Sequence, residues 1–568
     1  MNQKAIFNFC KDIGCCDRCC FRYLGLKIPS AYENSDQYVL KFQDSLSSNT
    51  TEESTELKKD VTASNDEVAI INNVTELGET PAVCTHTQDD IIDNTDTDTV
   101  HDDNVADSNG HAPHKKRKLH PCVSCLGILQ EDTWPDSNRM VKEILEKKRY
   151  ECPTFACALS APIATLVRER VITVLIAEIF PEYDPDALTA LKEAWKWSCG
   201  TQLAAHAGLR LHSGAVSPLL LSLTYEYPDE LQELEMLKTV APAVFASRKQ
   251  QRKRFAVEFT RRAAEQALAE ATAGGLRAAG WAPPPPPPAP ATAARAAAAR
   301  APLHLGGRYI KLSRELPQTP WLVNGVRMME SSVQEIIFGP IAAMYGLTPA
   351  ESERRMKFMS AGREDVDVRC LGDGRPFAVE VTDPRRELTQ EELKRVCEEI
   401  SASGKVIVHQ LVHVSREELS ELKKGEETKC KTYEALCIKL GHSEYEHDKT
   451  SADPVTVTAQ DIANINSYTN TDEPGVRVRL TQRTPIRVLH RRPLLTRARE
   501  LYELTASPVH GQPALVALRV RASAGTYVKE WAHGELARTR PALGHALRAP
   551  LDILALDVAH VHLPWPAR

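Results

Sequence analysis

The sequence predicts an α/β (α+β) protein with a mixed-sheet domain over residues 305–568 and a separate α/β accessory domain before it. Helix start signals that alternate with strand-like segments predict the mixed sheet, and two cysteine pairs near the start predict that the accessory domain carries zinc. A chain of 568 residues is long enough for two or three domains, and 42% hydrophobic residues suffice to build their cores.

Two helices of the mixed-sheet domain are predicted to begin at capping boxes. Thr389 with Glu392 forms one box and Ser415 with Glu418 forms the second, because a Ser or Thr followed three residues later by Glu satisfies free amides at a helix start. The first helix carries four apolar residues on one face: Leu393, Val396, Cys397 and Ile400. Between the helices the segment VIVHQLVHV, residues 406–414, has the β-branched content of a strand.

Two Cys-x-x-Cys pairs lie near the start of the chain, Cys16 with Cys19 and Cys122 with Cys125. Two thiolates at this spacing can approach one tetrahedral ion, and two such pairs complete a four-cysteine zinc site. The long gap between the pairs is acceptable because the cost of closing a loop grows only logarithmically with its length. Four thiolates leave no open position, so we expect a structural zinc, with ordinary buried thiols as the alternative. Adjacent cysteines leave open which member of each doublet is the ligand.

Several segments have compositions that do not build a packed core. Residues 43–110 are rich in Asp, Glu, Thr, Ser and Asn, and we expect a disordered acidic insert. Residues 251–304 are predicted to be a linker, helical at first and then rich in Ala and Pro around PPPPPPAP, which favours polyproline II. We expect residues 441–475 to be a surface insertion. The accessory domain then comprises residues 1–42 and 111–250.

The charge distribution predicts a polyanionic partner. The formal net charge is -6, but residues 476–568 contain 15 Lys and Arg against 6 Asp and Glu, because the acidic insert hides a basic remainder. No apolar run approaches the roughly 20 residues of a membrane-spanning helix, which argues against a membrane protein. The N-terminus lacks the pattern of a secretion signal, so we expect the chain inside the cell, where cysteines are metal ligands or buried thiols before disulfides.

In the segment SAGREDVDVRCLGDGRPFAVEV, residues 360–381, three acids that lie close together, Glu364, Asp365 and Asp367, stand among three arginines. It reads as two short strands joined by a Gly-Asp-Gly turn. A solvated hairpin tolerates such charges, whereas a catalytic carboxylate needs a positioned arginine that keeps it ionised and holds an anionic substrate. We select Asp365 as this carboxylate and expect Arg363 or Arg369 beside it. Asp367 is expected to order one of the same two arginines.

Six sequence blocks resemble, in order, those of the tRNA pseudouridine synthase ten family. The blocks are SRELPQTPW (313–321), GREDVDVR (362–369), GRPFAVEV (374–381), KTYEAL (431–436), TPIRVLHRRP (484–493) and AGTYVKEWAHGE (524–535). That family has an N-terminal THUMP-related domain with a four-cysteine zinc site. The resemblance therefore covers the two cysteine pairs and nearly all of residues 305–568, which identifies the latter as a pseudouridine synthase catalytic domain.

The resemblance implies that uridine is isomerised to pseudouridine in the T-loop of tRNA, at position 54, 55 or both, without an organic cofactor. It implies that Asp365 is the nucleophile and that Tyr433 and Tyr527 contact the substrate. It also implies a monomer that binds the tRNA T-arm and no membrane, with nuclear and cytoplasmic locations, a mitochondrial pool, and primary microRNA with its processing machinery as further partners.

The chemistry of the reaction fits these residues. A carboxylate can attack the sugar covalently or abstract a proton from it when the C1′–N1 bond breaks. The ring of Tyr433 can stack on the detached uracil, while Arg363 and Lys529 would hold anionic groups of the substrate. The uridine must be everted from its stack before Asp365 reaches it. Five further arginines are candidates for phosphate contacts: Arg487, Arg491, Arg492, Arg497 and Arg499.

Two other functions remain open from the residues. A metal-dependent nuclease would use Asp365, Asp367 and Glu380 to gather a magnesium ion, although no lysine follows to activate water and the arginines would repel the ion. An RNA-binding scaffold in small-RNA processing would carry vestigial catalytic residues. Glu380 is better explained as a strand residue paired with an arginine. His490 and His533 are expected to be structural or to face RNA.

Overall fold

The structure is a computed structural model, and it describes residues 3–47, 120–212, 217–250, 257–441, 455–547 and 549–566. The acidic insert predicted for residues 43–110 lies outside the described residues except for residues 43–47, which end a helix. None of the described helices is long and apolar enough to cross a membrane.

The first half of the chain is mainly helical, with a small sheet. Its elements are α1 (Gln3–Asp12), α2 (Asp17–Tyr23), α3 (Pro29–Glu33), α4 (Ser35–Ser47), α5 (Trp134–Lys148), β1 (Thr154–Ser160), α6 (Ile163–Ile179), α7 (Leu191–Trp195), α8 (Thr201–Ala207), β2 (Arg210–Leu211), β3 (Leu219–Glu226), α9 (Glu230–Leu234), α10 (Met236–Val240), α11 (Pro242–Gln250), α12 (Arg261–Ala269), α13 (Ala273–Ala278) and β4 (Thr292–Arg300). The four strands form one sheet in the order β2-β1-β3-β4.

The second half alternates strands and helices, as the sequence predicts. Its elements are β5 (Leu303–Lys311), β6 (Leu322–Val323), β7 (Val326–Arg327), α14 (Val333–Tyr345), α15 (Pro349–Arg355), β8 (Met356–Ser360), β9 (Arg369–Val381), α16 (Gln390–Ala402), β10 (Val406–His413), α17 (Arg416–Thr428), β11 (Lys431–Lys439), α18 (Ala459–Ser467), β12 (Val478–Arg483), β13 (Thr496–Pro508), β14 (Leu515–Ala522), α19 (Val528–His533), β15 (Thr539–Arg540), α20 (Leu543–Leu547) and β16 (Leu551–Val561).

Ten of these strands form one large mixed sheet. Its order is β10-β5-β9-β16-β11-β14-β13-β12-β15, and β8 pairs with β9 beside that path. Strands β9 and β16 run parallel, whereas β5 with β9 and β11 with β14 are antiparallel. The predicted mixed α/β fold class is therefore confirmed. Two apolar clusters of buried side chains lie against this sheet, one around Ile337 and Phe377 and one around Leu518 and Trp531.

Contacts within the chain divide it into two compact units. The first comprises residues 1–139, 158–203 and 223–295, and the second comprises residues 140–157, 204–222 and 296–568. The first unit has its own core, in which α6 packs against α12 and α13. The second unit contains the whole ten-stranded sheet.

The predicted helices of the second half begin where the sequence places them. Thr389 and Glu392 form a capping box at the start of α16, and the apolar face of that helix is buried. At α17 the amide of Ser415 donates to Glu418 Oε2 at 2.7 Å and the amide of Glu418 donates to Ser415 Oγ at 3.2 Å. The strand predicted for 406–414 is β10.

The prediction that residues 251–304 are a linker is wrong for the last part of this range, because Thr292–Arg300 forms a strand of the four-stranded sheet. The proline run before it is also held, since Pro285 O accepts a hydrogen bond from Arg168 Nη1 at 2.8 Å. An alanine-rich sequence has little intrinsic preference for a strand, but pairing with a neighbouring strand stabilises that conformation here.

The Gly-Asp-Gly turn predicted between two strands is also wrong. Residues 369–381 form the single strand β9, and the register shift against β5 falls between Tyr309 and Lys311. Gly372 and Gly374 have φ of +61° and +78° and kink this strand where its neighbours change. A glycine pair with positive φ suits a bulge as well as a turn, so the sequence alone could not distinguish them.

The surface insertion expected over residues 441–475 is only partly a surface feature. Residues 442–454 lie outside the described residues, but α18 within the remainder packs on the sheet. Ile465 is fully buried in the apolar cluster, and Asp461 accepts a hydrogen bond from Lys439 Nζ at 2.7 Å. The insertion therefore contributes to the core.

Substitution of Gly372 by alanine should destabilise the second unit strongly. An added Cβ would lie 2.1 Å from Ala559 O, a backbone atom that cannot move away alone. We expect a cost of about 1–2 kcal/mol from the left-handed backbone and a further 1–3 kcal/mol from overpacking. Gly404→Ala is the matched control, because Gly404 has φ +64° and nothing within 4 Å of the added Cβ. Equal thermal shifts for the two variants would contradict the bulge packing.

Candidate active site

A cavity of about 860 Å³ opens in the second unit beside the segment between β8 and β9. Its lining carries far more positive than negative charge. The cations are Arg363, Arg375, Lys431, Arg487, Arg491, Arg492, Arg497, Arg499 and Lys529, and the acids are Glu364 and Asp365. All five residues that the sequence selects for the RNA site line this one cavity: Asp365, Tyr433, Tyr527, Arg363 and Lys529.

Asp365 lies on a segment, residues 361–368, that belongs to no strand. Side chains from β5 and the residues after it hold the carbonyls of this segment instead. Lys311 Nζ, which is fully buried, donates to Asp365 O at 3.0 Å and to Val366 O at 2.9 Å. Arg314 Nη1 donates to Asp367 O at 3.0 Å.

The start of the same segment is held in a similar way. Gln318 Nε2 donates to Gly362 O at 3.0 Å, and Arg375 Nη1 donates to Ala361 O at 2.7 Å. Buried carbonyls without partners would cost about 1–3 kcal/mol each, so these donors make one loop conformation much more stable than its alternatives.

The three clustered acids each bind a different cation. Glu364 is buried and pairs with Arg375 Nε at 2.8 Å, and it also accepts hydrogen bonds from the hydroxyl of Tyr309. Asp365 Oδ2 accepts from Arg487 Nη1 at 2.7 Å, and Asp367 Oδ2 accepts from Lys529 Nζ at 2.6 Å. Glu364 is therefore structural, and Asp365 faces the cavity.

The hydrogen-bonding partners of Asp365 and Asp367 are Arg487 and Lys529, and not Arg363 or Arg369 as expected. Arg369 forms a bidentate ion pair with Asp557, at 3.0 and 2.6 Å. Arg363 lines the cavity but makes no hydrogen bond or ion pair with any described residue. Burial and the charge of Arg491 lower the pKa of Arg363 and outweigh the opposite effect of Glu364 and Asp365, whose charges also act on it. The arginine expected beside Glu380 is likewise replaced by His304, at 3.3 Å.

Arg487 connects Asp365 to a buried acid. Its Nε donates to Glu530 Oε1 at 2.5 Å, and the side chain of Glu530 is only 2% exposed. Burial alone would lower the pKa of Arg487, but Glu530 and Asp365 outweigh that effect and raise it. The guanidinium is thus fixed by one carboxylate and presented to the other. The second oxygen of Asp365 is 4.0 Å from Arg491, which is too far for a hydrogen bond.

Tyr433 lies on β11 between β14 and β16, with Val520 and Val558 as its register partners. The residue is 9% exposed, and burial raises the pKa of its phenol to about 12, so the ring is neutral at pH 7. Val368, Leu556 and Val558 line the cavity nearby. The cavity therefore combines an apolar floor with cationic walls.

Tyr527 is positioned by a glutamine from another strand. Gln482 is buried on β12, and its Oε1 accepts from the amide of Tyr527 at 3.0 Å while its Nε2 donates to Tyr527 O at 2.9 Å. This two-bond contact fixes the residue that precedes α19. Lys529 follows on α19 and binds Asp367, so this turn is tied to strand β12 through Gln482 and to the segment of Asp365 through Lys529.

The four cysteines selected from the sequence come together in the first unit. The sulfurs of Cys16, Cys19, Cys122 and Cys125 all lie within 4.8 Å of one another, and Cys16 Sγ is 3.9 Å from Cys125 Sγ. The amide of Cys16 donates to Cys122 Sγ at 3.2 Å, and the amide of Leu129 donates to Cys125 Sγ at 3.5 Å. The set could hold a metal ion, and it excludes the adjacent Cys15 and Cys20.

The nuclease alternative finds no support in the described residues. The only group of three or more metal-binding side chains within 4.8 Å among them is the cysteine cluster, so Asp365, Asp367 and Glu380 do not gather. His533 accepts a hydrogen bond at Nδ1 from the amide of Glu535 at 3.1 Å, which gives it a structural role.

Sequence reasoning missed several residues that support the cavity. They are Lys311, Gln318, Gln482, Glu530 and Asp557. Gln318 and Glu530 lie within sequence blocks that had been singled out, but nothing in their spacing indicated a role. The partners of the other three are distant in the chain, so no local pattern reveals them.

Asp557 should stabilise this part of the sheet in a pH-dependent way. Burial would raise the pKa of Asp557, but Arg369 and Arg314 outweigh that effect and lower it. Asp557→Asn should reduce the free energy of unfolding by about 2 kcal/mol. Because the folded pKa lies below the unfolded value of about 3.9, the difference from wild type should be constant between pH 7 and 5 and shrink below about pH 4.

Urea unfolding followed by circular dichroism at several pH values measures this difference. Asp552→Asn is the matched control, since Asp552 is an exposed residue of the same strand. A pH-independent difference for the Asp557 variant would show that its carboxylate makes no net ionic contribution.

Family models match both halves of the chain. The model described as "Pus10, C-terminal" matches residues 304–562, and "Eukaryotic Pus10, N-terminal" matches residues 122–296. The chain is 31% identical over 572 residues to "tRNA pseudouridine synthase Pus10" of Homo sapiens, covering 99% of this chain and 98% of that protein. It is 33% identical over 485 residues to "Putative tRNA pseudouridine synthase Pus10" of Drosophila melanogaster, covering 83% and 89% of the two chains.

A solved structure, "Crystal Structure of a Cbf5-Nop10-Gar1 Complex", matches 46% of this chain and 50% of its own, with 15% identity and a TM-score of 0.23. Identity and coverage with the full-length relatives are sufficient to assign the chain. The chain belongs to the Pus10 family, whose curated members carry the name of an isomerase, tRNA pseudouridine synthase.

Proposed function

We propose that this pseudouridine synthase isomerises uridine in the T-loop of tRNA, at position 54, 55 or both, with Asp365 as the nucleophile. The observation that carries the proposal is the position of the Asp365 carboxylate at the wall of a cationic cavity that also contains Tyr433 and Tyr527. The names of the relatives supply the reaction and the class of RNA.

The geometry around Asp365 suits a nucleophile. Arg487 binds one carboxylate oxygen, and the other has no hydrogen-bond donor within reach among the described side chains. That oxygen can attack C1′, with uracil leaving through N1, or it can take a proton from the sugar. In the first route the bond between the aspartate oxygen and C1′ breaks as C5 of uracil bonds to C1′. In the second route the aspartate returns the proton to the sugar carbon as C5 bonds to C1′. In both routes the C5 proton is then lost and N1 gains one, so no atom is added or removed.

The detached base must stay in place while it turns. Tyr433 offers a neutral aromatic face, and Val368, Leu556 and Val558 exclude water from the same side of the cavity. Base stacking on an aromatic ring contributes about 1–3 kcal/mol and tolerates rotation of the base in its plane. An apolar floor therefore retains uracil without fixing one of its edges.

The cationic walls provide the energy for eversion. Unstacking a nucleotide costs a few kcal/mol, and phosphate contacts can offset that cost. Arg363, Arg492 and Arg497 line the cavity without side-chain hydrogen bonds or ion pairs to described residues, so their guanidinium groups are available to phosphates. Lys529 is bound to Asp367 and would have to share its ammonium group with the RNA.

Replacement of Asp365 by asparagine should abolish pseudouridine formation while RNA binding stays within about threefold of wild type, because a single neutralised acid in a cationic cavity reduces repulsion. The assay is carbodiimide mapping of pseudouridine on an unmodified tRNA transcript, with filter binding of the same RNA. Asp373→Asn is the matched control, an acid on the bulge of β9 outside the cavity lining.

Retention of turnover in the Asp365 variant would overturn the proposed nucleophile. A short incubation in EDTA separates isomerase from nuclease, since the isomerase should keep its activity and a magnesium-dependent nuclease should lose it.

We further propose that the cysteine cluster holds a structural zinc ion. Tetrahedral zinc has Zn–S distances of about 2.3 Å, which separates its sulfurs by roughly 3.8 Å. The 3.9 Å between Cys16 Sγ and Cys125 Sγ fits this geometry, and amide donors to two of the sulfurs are a typical outer shell for thiolates. Arg22, which is buried, also donates to Cys19 Sγ at 3.8 Å. The cluster is remote in sequence from Asp365, and the ion would stabilise the first unit.

Cys122→Ser should lower bound zinc from about one ion per chain to near zero and reduce the melting temperature, because ion binding and folding are coupled. Metal content is measured by mass spectrometry of the purified chain. Cys20→Ser is the matched control, a fully buried cysteine next to Cys19 that lies outside the cluster. Full zinc occupancy in the Cys122 variant would exclude this site.

Primary microRNA as a further partner and the nuclear and cytoplasmic locations remain predictions from the family resemblance. If the protein acted only as an RNA-binding scaffold, the Asp365 variant would keep its cellular function.

A further inference from the structure

A second, smaller cavity adjoins the first, and Tyr527 lines both. Its volume is about 130 Å³, below the roughly 300 Å³ of pockets that enclose a drug-sized ligand. The two cavities share four lining residues: Arg492, Arg497, Arg499 and Tyr527. The side cavity, as we call it, is completed by Gln482, Thr484, Pro493 and Leu495. Its lining thus contains three arginines and no acid.

The walls of the side cavity are rigid. Gln482 and Arg497 are register partners across β12 and β13, and Gln482 also fixes the backbone of Tyr527. Thr484 closes the other side, because its amide donates to Leu495 O at 2.8 Å and its hydroxyl donates to Pro493 O at 2.7 Å. A ligand would therefore meet a site that is already formed.

Arg499 is fixed with part of its guanidinium group free. Its Nε donates to Gly525 O at 3.1 Å and its Nη1 donates to Ala498 O at 3.1 Å, while Nη2 has no bonded partner among the described residues. Gly525 permits this contact, since a Cβ at that position would lie 2.9 Å from Arg499 Nη2. The fixed side chain loses little conformational entropy when an anion binds.

The arginines of the side cavity repel one another. Arg492 and Arg497 make no side-chain hydrogen bond or ion pair with described residues. Burial and the charge of Arg497 together lower the pKa of Arg499. Natural surfaces usually intersperse both signs of charge, so a rigid site with three like charges is costly unless an anion binds there.

We propose that the side cavity binds one backbone phosphate of the RNA next to the everted nucleotide, through Arg497, Arg499 and Arg492. The inference rests on the proposed function for its ligand, but it concerns the side cavity, whose lining does not include Asp365. The small volume and the absence of acids favour a single phosphate group over a base or a nucleoside. Because Tyr527 lines both cavities, the bound phosphate would lie next to the reacting nucleotide and fix the direction of the strand.

The test compares the wild-type chain with Arg497→Gln/Arg499→Gln in binding an unmodified tRNA transcript at several salt concentrations. The slope of log affinity against log salt should fall by about 1 in the variant, as expected when one phosphate contact is lost. Arg519→Gln is the matched control: Arg519 lies on the neighbouring strand β14, is paired with Glu434 and lines neither cavity. Its slope should equal that of the wild type.

A second arm replaces single phosphates of a T-arm RNA by neutral methylphosphonates. One position should weaken wild-type binding about 10-fold and have no effect on the double variant, because the two changes remove the same contact. If every position affects both proteins equally, or if the salt slope is unchanged, the proposal is wrong. Inorganic phosphate could also compete with RNA for the wild type but not for the double variant, while the salt slope of the variant equals that of the wild type. That result would identify a site for a free anion, and it would also overturn the proposal.

Failure of the proposed function can be told apart from failure of the phosphate site. In the first case the wild type forms no pseudouridine, whatever the salt dependence of its RNA binding. Circular dichroism checks that the double variant folds. If the double variant does not fold, the same test is made with Arg492→Gln, because Arg492 lies on the exposed loop between β12 and β13.

Discussion

The site depends on one constraint: the segment that carries Asp365 has no strand neighbour, so its carbonyl groups must be satisfied by side chains. Lys311, Arg314, Gln318 and Arg375 provide the donors, and three of them are almost fully buried. A buried ammonium or guanidinium group without hydrogen-bond partners destabilises the fold, and so does a buried carbonyl group. The contact between them removes both costs. Asp365 is thereby held through its backbone, and its carboxylate faces the cavity, where it binds Arg487.

Charge is divided between structure and function around this segment. The ion pair of Glu364 with Arg375 is buried, and Arg375 also donates to a carbonyl of the loop, so the pair fixes the loop. Arg487 has an intermediate position, because buried Glu530 anchors it while its other edge binds Asp365. Arg363, Arg492 and Arg497 line the cavity without bonded counter-ions among the described residues, and an RNA backbone can supply them.

The two units carry separate parts of this design. The cysteine cluster lies in the first unit, and the whole cationic cavity lies in the second. A metal ion held by the cysteines would therefore act on the first unit, whereas Asp365 and the cavity arginines belong to the second. The small strand Thr292–Arg300 shows how weak compositional signals are, since a segment of mostly alanine joins a sheet once a partner strand is available.

The sequence by itself determined the helices with capping boxes, the strand at 406–414, the four cysteines and the aspartate, because each depends on residues a few positions apart or on a motif read as a block. Only the tertiary structure decided which charges pair. Asp365 and Arg487 are 122 residues apart, and Arg369 and Asp557 are 188 apart, so no local spacing encodes either contact. The path of β9 through its two glycines was decided in the same way, since positive φ permits a turn or a bulge and only the neighbouring strands select between them.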